Sequence, residues 1–240
     1  MALDLSRVRA LCFDVDGTLS DTDDTWVYQF EKLLNPLSRL FPQHNPRPFA
    51  RWVVMGLETP GNLVYHLLDR AGLDAWLAGL FNFLAKHFRS RRPRRFLMVP
   101  WVGSILPTLK DYYPMAIVSA RDERSTLAFL EYFHLLPLFG ALATAHTCRY
   151  TKPYPDPILF VAESMGVRPA ECLMIGDTTV DIRAGKAAGA QTVGVLWGFG
   201  RKDELIRAGA DLVISSPIDL LTLLPTPVQS PAIGSPGRSS

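Results

Sequence analysis

Short apolar runs that end abruptly at a polar residue recur along this chain, with helical patterns between them. The first is "ALCF" at residues 10–13, which is too short for a helix but suits a strand buried on both faces. Two more lie in "MAIVSARD" at 115–122 and "LMIGDTTVD" at 173–181. Helical spacings and further short apolar runs follow at 123–136, 157–166, 180–190, 192–196 and 211–215. This alternation predicts an α/β fold with a doubly wound parallel sheet.

Polar residues stand where the predicted strands end. Doubly wound sheets bind ligands beyond the carboxyl ends of their strands, so we expect these side chains to converge. They are Asp14, Asp16, Ser119 and Asp177, and Gly17 can adopt the backbone angles that end the first strand abruptly. Carboxylates this close repel one another, whereas Mg²⁺ prefers oxygen ligands and retains waters. The acids therefore predict a Mg²⁺ site.

The spacing of the first two acids suits phosphoryl chemistry. A bound Mg²⁺ would reduce the repulsion between an attacking carboxylate and a phosphate, so Asp14 could form an aspartyl-phosphate intermediate. Asp16 lies two residues on, across a tight turn. It could protonate the leaving oxygen and then activate water, as a general acid and base does.

One connection is much longer than a parallel crossover needs, because about 80 residues separate Ser20 from Trp101. Apolar residues recur three and four apart within it, which predicts helices at 25–41, 62–72 and 74–88. We expect a helical cap over the site that excludes water and selects substrates. The predicted division is a core of 1–19 and 101–224, an inserted cap of 20–100 and a disordered tail of 225–240.

Composition and charge exclude several classes of protein. A chain of 240 residues with 48% hydrophobic and 20% charged residues is ordinary for a globular protein. A net charge of +2 does not favour a nucleic-acid partner, and no apolar run is long enough to span a membrane. Charged residues at 4, 7 and 9 interrupt any signal peptide, and three widely spaced cysteines without a CxxC pair suit a reducing compartment. These features predict a cytoplasmic protein.

An arginine-rich stretch, "RSRRPRRF" at 89–96, carries five arginines in seven positions. It could attract anionic substrates or nucleic acid, or it could be a solvated linker at the end of the cap. The lack of interleaved aromatic residues favours the linker.

Four short motifs together resemble those of the haloacid dehalogenase-like superfamily. They are "DVDGT" at 14–18, "AIVSA" at 116–120, "TKPYPDP" at 151–157 and "GDTTVD" at 176–181, in that order. The resemblance covers Leu11 to about Leu196, and it is closest to the phosphoglycolate phosphatase-like branch, whose helical cap follows the first motif. It implies a Rossmann-like core and hydrolysis of a small phosphorylated metabolite.

The resemblance also implies a role for each acid. Asp14 would accept the phosphoryl group and bind Mg²⁺, while Asp16 would be the acid and base and would ligate Mg²⁺ through its backbone carbonyl. Asp177 would bind Mg²⁺ directly. Asp181 would hold a metal-bound water or orient Lys152, although an acid there also suits a helix N-terminus.

The same resemblance implies a phosphate-binding set. Ser119 would hydrogen-bond the transferring group with help from the backbone at Ala120, Lys152 would neutralise its charge, and Thr18 would shape the loop beside it. Two simpler interpretations are open: Ser119 could cap the next helix, and Lys152 could be a solvated surface lysine.

Three candidate functions stay open at this point. The acid at Asp16 favours phosphate-ester chemistry over dehalogenation in this superfamily, but similar phosphoglucomutases share all four motifs. A non-catalytic binding protein on the same fold is the third candidate, after the phosphatase and the mutase.

Arg121 stands where related phosphatases often have Asn. It could bind an acidic leaving group, or it could pair with Asp122 or Glu123.

Overall fold

A parallel six-stranded sheet forms the centre of the molecule. The computed structural model describes residues 3–21, 31, 32, 34–41, 46, 49 and 96–224. The strand order is β3-β2-β1-β4-β5-β6, and every pair is parallel. The strands are β1 (Ala10–Phe13), β2 (Met115–Val118), β3 (Ala141–Ala143), β4 (Cys172–Gly176), β5 (Gln191–Val195) and β6 (Leu212–Ile214).

Helices connect the strands. The α-helices are α1 (Val102–Lys110), α2 (Glu123–Tyr132), α3 (Asp156–Ser164), α4 (Thr179–Ala187), α5 (Lys202–Ala208) and α6 (Asp219–Leu223). Short 3₁₀ helices lie at Leu5–Arg7, Asn35–Leu40, Leu136–Leu138 and Pro169–Glu171.

Both faces of the sheet are buried against helices. Alternate residues of a strand point to opposite faces, so Leu11 and Phe13 of β1 pack on one side while Ala10 and Cys12 pack on the other. The first side is covered by α1, α2 and α6, and the second by α3 and α4. Burial on both faces explains why the strands are continuous apolar runs. The predicted α/β fold with a doubly wound parallel sheet is confirmed.

The order of the strands places the switch point of the sheet beside the end of β1. Strand β1 lies between β2 and β4, where the winding of the chain reverses, and this is the usual ligand site of such sheets. The Asp14 N–H donates to the Ile175 carbonyl at 3.0 Å, and the Ser119 N–H donates to the Ala143 carbonyl at 2.9 Å. The residues after β1, β2 and β4 therefore share one edge.

Four elements of the core were absent from the sequence-based prediction, namely β3, α1, α5 and α6. Strand β3 has only three residues at the edge of the sheet, too few for a detectable alternation. Helix α1 contains Pro107, a helix-disfavouring residue, although its buried residues have helical spacing. A predicted helix end also ran long: α2 ends at Tyr132 rather than at 136, because His134 has a φ of 57° and cannot continue a right-handed helix.

Most of the predicted cap lies outside the described residues. Within it Glu31, Lys32 and Leu34 are helical, followed by the 3₁₀ helix at 35–40. The predicted helices at 62–72 and 74–88, the arginines of 89–95 and the tail of 225–240 are not described. The division into core, cap and tail stays a prediction.

Two predictions concerned membrane-spanning segments and the state of the cysteines. In the part of the chain that the structure describes, no helix combines the length and apolar character needed to cross a membrane. The three cysteines, Cys12, Cys148 and Cys172, are free thiols.

Candidate active site

A tight loop after β1 carries the first motif. The N–H groups of Leu19 and Ser20 both donate to the Val15 carbonyl, at 2.9 and 2.8 Å, and fold the loop back on itself. Gly17 has a φ of 77°, and a Cβ at this position would lie 2.3 Å from Oδ2 of Asp177. Only glycine accepts this backbone conformation at so small a distance, so the loop packs directly on the acid that follows β4.

Asp177 is fully buried and held through both of its carboxylate oxygens. Oδ2 accepts a hydrogen bond from the Phe199 N–H at 2.7 Å, and Oδ1 accepts one from the Thr18 hydroxyl at 3.3 Å. The Trp197 indole N–H donates to the Thr18 carbonyl at 3.0 Å. The loop after β5 thus fixes the orientation of Asp177, a role that nothing in "LWGFG" indicated.

Asp181 joins the cluster from the first turn of α4. Its Oδ2 accepts from the Thr178 N–H at 3.0 Å and from the Thr178 hydroxyl at 2.7 Å, a capping box in which Thr178 caps the helix. Oδ1 is left to face Lys152. The "TTVD" spacing is the sequence pattern of such a box and could have revealed the role of Thr178.

Lys152 bridges two acids inside the core. Its Nζ donates to Oδ1 of Asp14 and to Oδ1 of Asp181, each at 2.6 Å, and the residue is 4% exposed. Burial by itself would lower the pKa of Lys152, but the adjacent Asp14 and Asp181 carboxylates raise it well above its usual range. Lys152 is therefore a buried cation, which contradicts the interpretation as a solvated lysine.

Three buried acids share a single lysine in this cluster. Asp14, Asp177 and Asp181 are buried and offer carboxylate oxygens within 4.8 Å of one another. With all three carboxylates ionised, the Lys152 ammonium would leave two negative charges uncompensated. Burial, Asp181 and Asp16 raise the pKa of Asp14 to about 7 despite the opposing effect of Lys152. A hard divalent cation would supply the missing charge, and such cations prefer oxygen ligands of this kind.

Asp16 lies outside the group of three buried acids and pairs with Arg121. Nε of Arg121 donates to Oδ2 of Asp16 at 3.1 Å, and Nη2 forms an ion pair with Oδ1. The Asp16 side chain is 24% exposed, more than any acid of the buried cluster. Asp122 instead caps α2 by accepting from the Ser125 N–H at 3.0 Å. Arg121 therefore has a different main partner from those considered on the sequence.

Ser119 and Ala120 lie at the end of β2. Ser119 is 2% exposed, and its Oγ accepts a hydrogen bond from the Arg121 N–H at 3.1 Å, which leaves its hydroxyl proton to donate. Helix α2 is capped by Asp122, so the interpretation of Ser119 as that cap is wrong. Ala120 is exposed, and its N–H donates to no atom of the described residues.

Gly176 provides a direct test of how closely this site is packed. A Cβ at Gly176 would lie 2.4 Å from Cβ and Cγ of Asp181. We expect Gly176→Ala to displace Asp181, to cost about 1–3 kcal/mol of unfolding free energy and to weaken Mg²⁺ binding. Urea unfolding and the Mg²⁺-induced rise in melting temperature measure both effects. Gly140→Ala is the control, since its Cβ would meet nothing nearer than 4.0 Å. An equal loss in both variants would contradict this account.

Comparison with known proteins identifies the class. The profile of the haloacid dehalogenase-like hydrolase family matches residues 11–195, so the chain belongs to this family. It is 28% identical over 218 residues to a phosphoglycolate phosphatase of Aquifex aeolicus (strain VF5), covering 90% of this chain and 97% of that protein. The pyrophosphatase PpaX of Bacillus pumilus (strain SAFR-032) is 25% identical over 227 residues, 91% of this chain and 97% of that protein. A crystal structure of a hydrolase from Pseudomonas syringae aligns with a TM-score of 0.68 and 26% identity, over 90% and 97% of the two chains.

These likenesses confirm three of the predictions made from the motifs. The family and its phosphoglycolate phosphatase-like branch are confirmed, as are the α/β fold and an enzyme of the phosphatase class. The structure brings Asp14, Asp177, Asp181 and Lys152 together in one buried cluster. The catalytic, metal-binding and phosphate-binding roles of individual residues stay predictions.

Proposed function

We propose that this protein hydrolyses a small phosphate monoester with Mg²⁺ and an aspartyl-phosphate intermediate on Asp14. The observation that carries the proposal is the buried cluster of three carboxylates and one ammonium, whose charge a divalent cation would cancel. The names of the relatives support phosphoester or phosphoanhydride substrates. Three free thiols suit a reducing cytoplasm, where such metabolites occur.

The acids of the cluster would hold the metal. Asp14 and Asp177 would each contribute a carboxylate oxygen, and Asp16 its backbone carbonyl. When bound, Mg²⁺ would offset the repulsion between the Asp14 carboxylate and the incoming phosphate. Asp181 contacts Lys152 directly, and we assign it the positioning of that ammonium, with a metal-bound water as its second task.

Transfer of the phosphoryl group to Asp14 breaks one bond and forms another. Oδ of Asp14 attacks phosphorus, the bond from phosphorus to the ester oxygen breaks, and protonated Asp16 gives its proton to that oxygen to release an alcohol. Ser119, the Ala120 N–H and Lys152 stabilise the negative charge on the transferring group. Lys152 keeps its position because Asp14 and Asp181 hold it from two sides.

Water completes the cycle. The Asp16 carboxylate accepts a proton from a water molecule as that water attacks phosphorus, and the bond from phosphorus to Asp14 breaks. Inorganic phosphate leaves, Asp14 is again a carboxylate, and Asp16 is again protonated. One ester and one water therefore give one alcohol and one phosphate.

The test is phosphate release from a panel that includes phosphoglycolate, pyrophosphate and hexose phosphates, with Mg²⁺ and with a chelator. We expect release only with Mg²⁺. Asp177→Asn should need at least about tenfold more Mg²⁺ for half-maximal rate, because a neutral amide replaces a charged ligand.

Two results would contradict the proposal. Isomerisation of a hexose phosphate without net phosphate release would indicate phosphoryl transfer within a sugar phosphate, as in the similar phosphoglucomutases. Neither reaction, together with tight binding of a phosphorylated compound, would indicate a binding protein on the same fold.

A further inference from the structure

We infer that Arg121 selects substrates whose leaving group carries a second anion, and that such a group displaces the Asp16 carboxylate from the guanidinium. This inference rests on the proposed phosphatase function. The pair formed by Arg121 and Asp16 lies outside the cluster of Asp14, Asp177, Asp181 and Lys152.

The Arg121 side chain is held in a defined orientation. Its guanidinium lies over the Phe129 ring, 5.8 Å from the centroid, and its side chain is 13% exposed. Its backbone is fixed at both ends, since the N–H donates to Ser119 Oγ at 3.1 Å and the carbonyl accepts from the Ala145 N–H at 3.0 Å. The guanidinium, whose N–H groups form a planar fork of donors, is thus preorganised beside the strand end that carries Ser119.

Both carboxylate oxygens of Asp16 face this fork. Nε contacts Oδ2 and Nη2 contacts Oδ1, so the pair is bidentate. A carboxylate in this position directs its oxygens at Arg121 and not at the oxygen of a departing alcohol. A second anion that binds these donors must therefore displace the Asp16 carboxylate.

The same contact locates Arg121 relative to the substrate. The leaving oxygen must come within hydrogen-bond distance of Asp16, roughly 2.6–3.2 Å, for proton transfer. Arg121 already lies within that distance of Asp16. A charged group on the carbon next to the leaving oxygen therefore arrives beside the guanidinium.

The chemistry of the guanidinium defines which group it would bind. Its planar fork matches a carboxylate or a phosphate, and such a group competes with Asp16 for the same donors. Nη1 of Arg121 donates to no atom within the described ranges, so one amino group can bind the substrate before the pair opens. An uncharged alcohol offers no such competitor and leaves Asp16 paired.

The test compares matched substrates. Phosphoglycolate carries a carboxylate on its leaving group, pyrophosphate carries a phosphate, and 2-hydroxyethyl phosphate resembles phosphoglycolate without the charge. We expect the wild-type protein to favour the charged compounds by at least about tenfold in kcat/KM. Arg121→Gln should lower kcat/KM for the favoured charged compound about 30- to 100-fold, while that for 2-hydroxyethyl phosphate should stay level or rise.

Three controls make the result specific. Arg124→Gln makes the same substitution at an exposed arginine three residues along and should change neither rate. Arg121→Lys keeps the charge but not the fork and should recover only part of the preference. Calorimetry measures the binding of the same compounds to Asp14→Asn and to the double variant that also carries Arg121→Gln. It compares charged with uncharged ligands in the absence of turnover. Melting temperatures check that each variant folds.

The outcomes separate this inference from the proposed function. An equal loss for charged and uncharged substrates in Arg121→Gln would overturn the inference and leave Arg121 as a positioning residue for Asp16. No preference in the wild-type protein would overturn it also. If nothing is hydrolysed, the proposed function fails, and a charge preference in binding that Arg121→Gln removes would still support the selection. If pyrophosphate is the one compound hydrolysed and Arg121→Gln lowers its kcat/KM, the inference is supported with phosphate as the second anion.

Discussion

Asp14→Asn is expected to abolish phosphate release and, in the metal-free protein, to raise the melting temperature. The amide cannot form an acyl phosphate, so the rate should fall by about 10⁴-fold or more. The stability effect comes from charge. The amide side chain of this variant is neutral, whereas the wild-type carboxylate is one of three ionisable acids in a buried space that water hardly reaches.

The direction of this stability effect depends on pH. The pKa of Asp14 is raised from 3.8 to about 7 in the folded protein, by burial first and then by Asp181 and Asp16. The stability linked to this group is therefore fully present below about pH 4 and is lost as pH rises through about 7. Asp14→Asn should gain most over the wild-type protein at pH 8, by roughly 2–4 kcal/mol, and little at pH 4.

Melting curves at pH 4, 6 and 8, with a chelator and with saturating Mg²⁺, measure this gain. Mg²⁺ should remove much of the difference, because bound cation compensates the wild-type carboxylate. Asp203→Asn is the control, since that side chain is 54% exposed. Phosphate release by Asp14→Asn would refute the role of Asp14 as the nucleophile. A melting temperature of this variant below that of the wild-type protein at pH 8 without metal would refute the charge argument.

Lys152→Met is expected to have the opposite effect on stability. Removing the ammonium leaves Asp14 and Asp181 without the cation that each contacts at 2.6 Å. Breaking a buried pair from one side costs about 3–5 kcal/mol, because the remaining charges stay buried. Phosphate release should fall about 10²- to 10³-fold, since a donor to the transferring group is lost.

The response to metal distinguishes this variant from a general packing defect. The cluster of Lys152→Met carries one more negative charge, so Mg²⁺ should raise its melting temperature more than it raises that of the wild-type protein. Lys186→Met is the matched control. Its ammonium also lies 2.6 Å from a carboxylate, but the Lys186 side chain is 35% exposed, and Asp211 keeps two hydrogen bonds from Thr192. Because the Asp211 side chain is 2% exposed, we expect a loss of about 1–3 kcal/mol there, smaller than that of Lys152→Met. A similar loss in both variants would contradict the account of the buried pair.

The class of fold and the meeting of Asp14 with Asp177 could be predicted from the residues alone. Runs such as Ala10–Phe13 and Cys172–Gly176 are apolar because parallel strands are buried on both faces, and that pattern is local. Asp14 and Asp177 follow these strands, so their meeting at one edge follows from the topology. The four motifs then sufficed to indicate the family.

The pairing of charged side chains could not be predicted, because it depends on contacts between distant parts of the chain. Lys152 is 138 residues from Asp14 and 29 from Asp181 along the chain, yet it contacts both. Arg121 reaches Asp16 across 105 residues instead of a neighbouring acid. The N–H of Phe199 holds Asp177 although its side chain carries no polar group. Such contacts depend on side-chain direction and on the paths of separate loops, and a linear pattern of residues encodes neither.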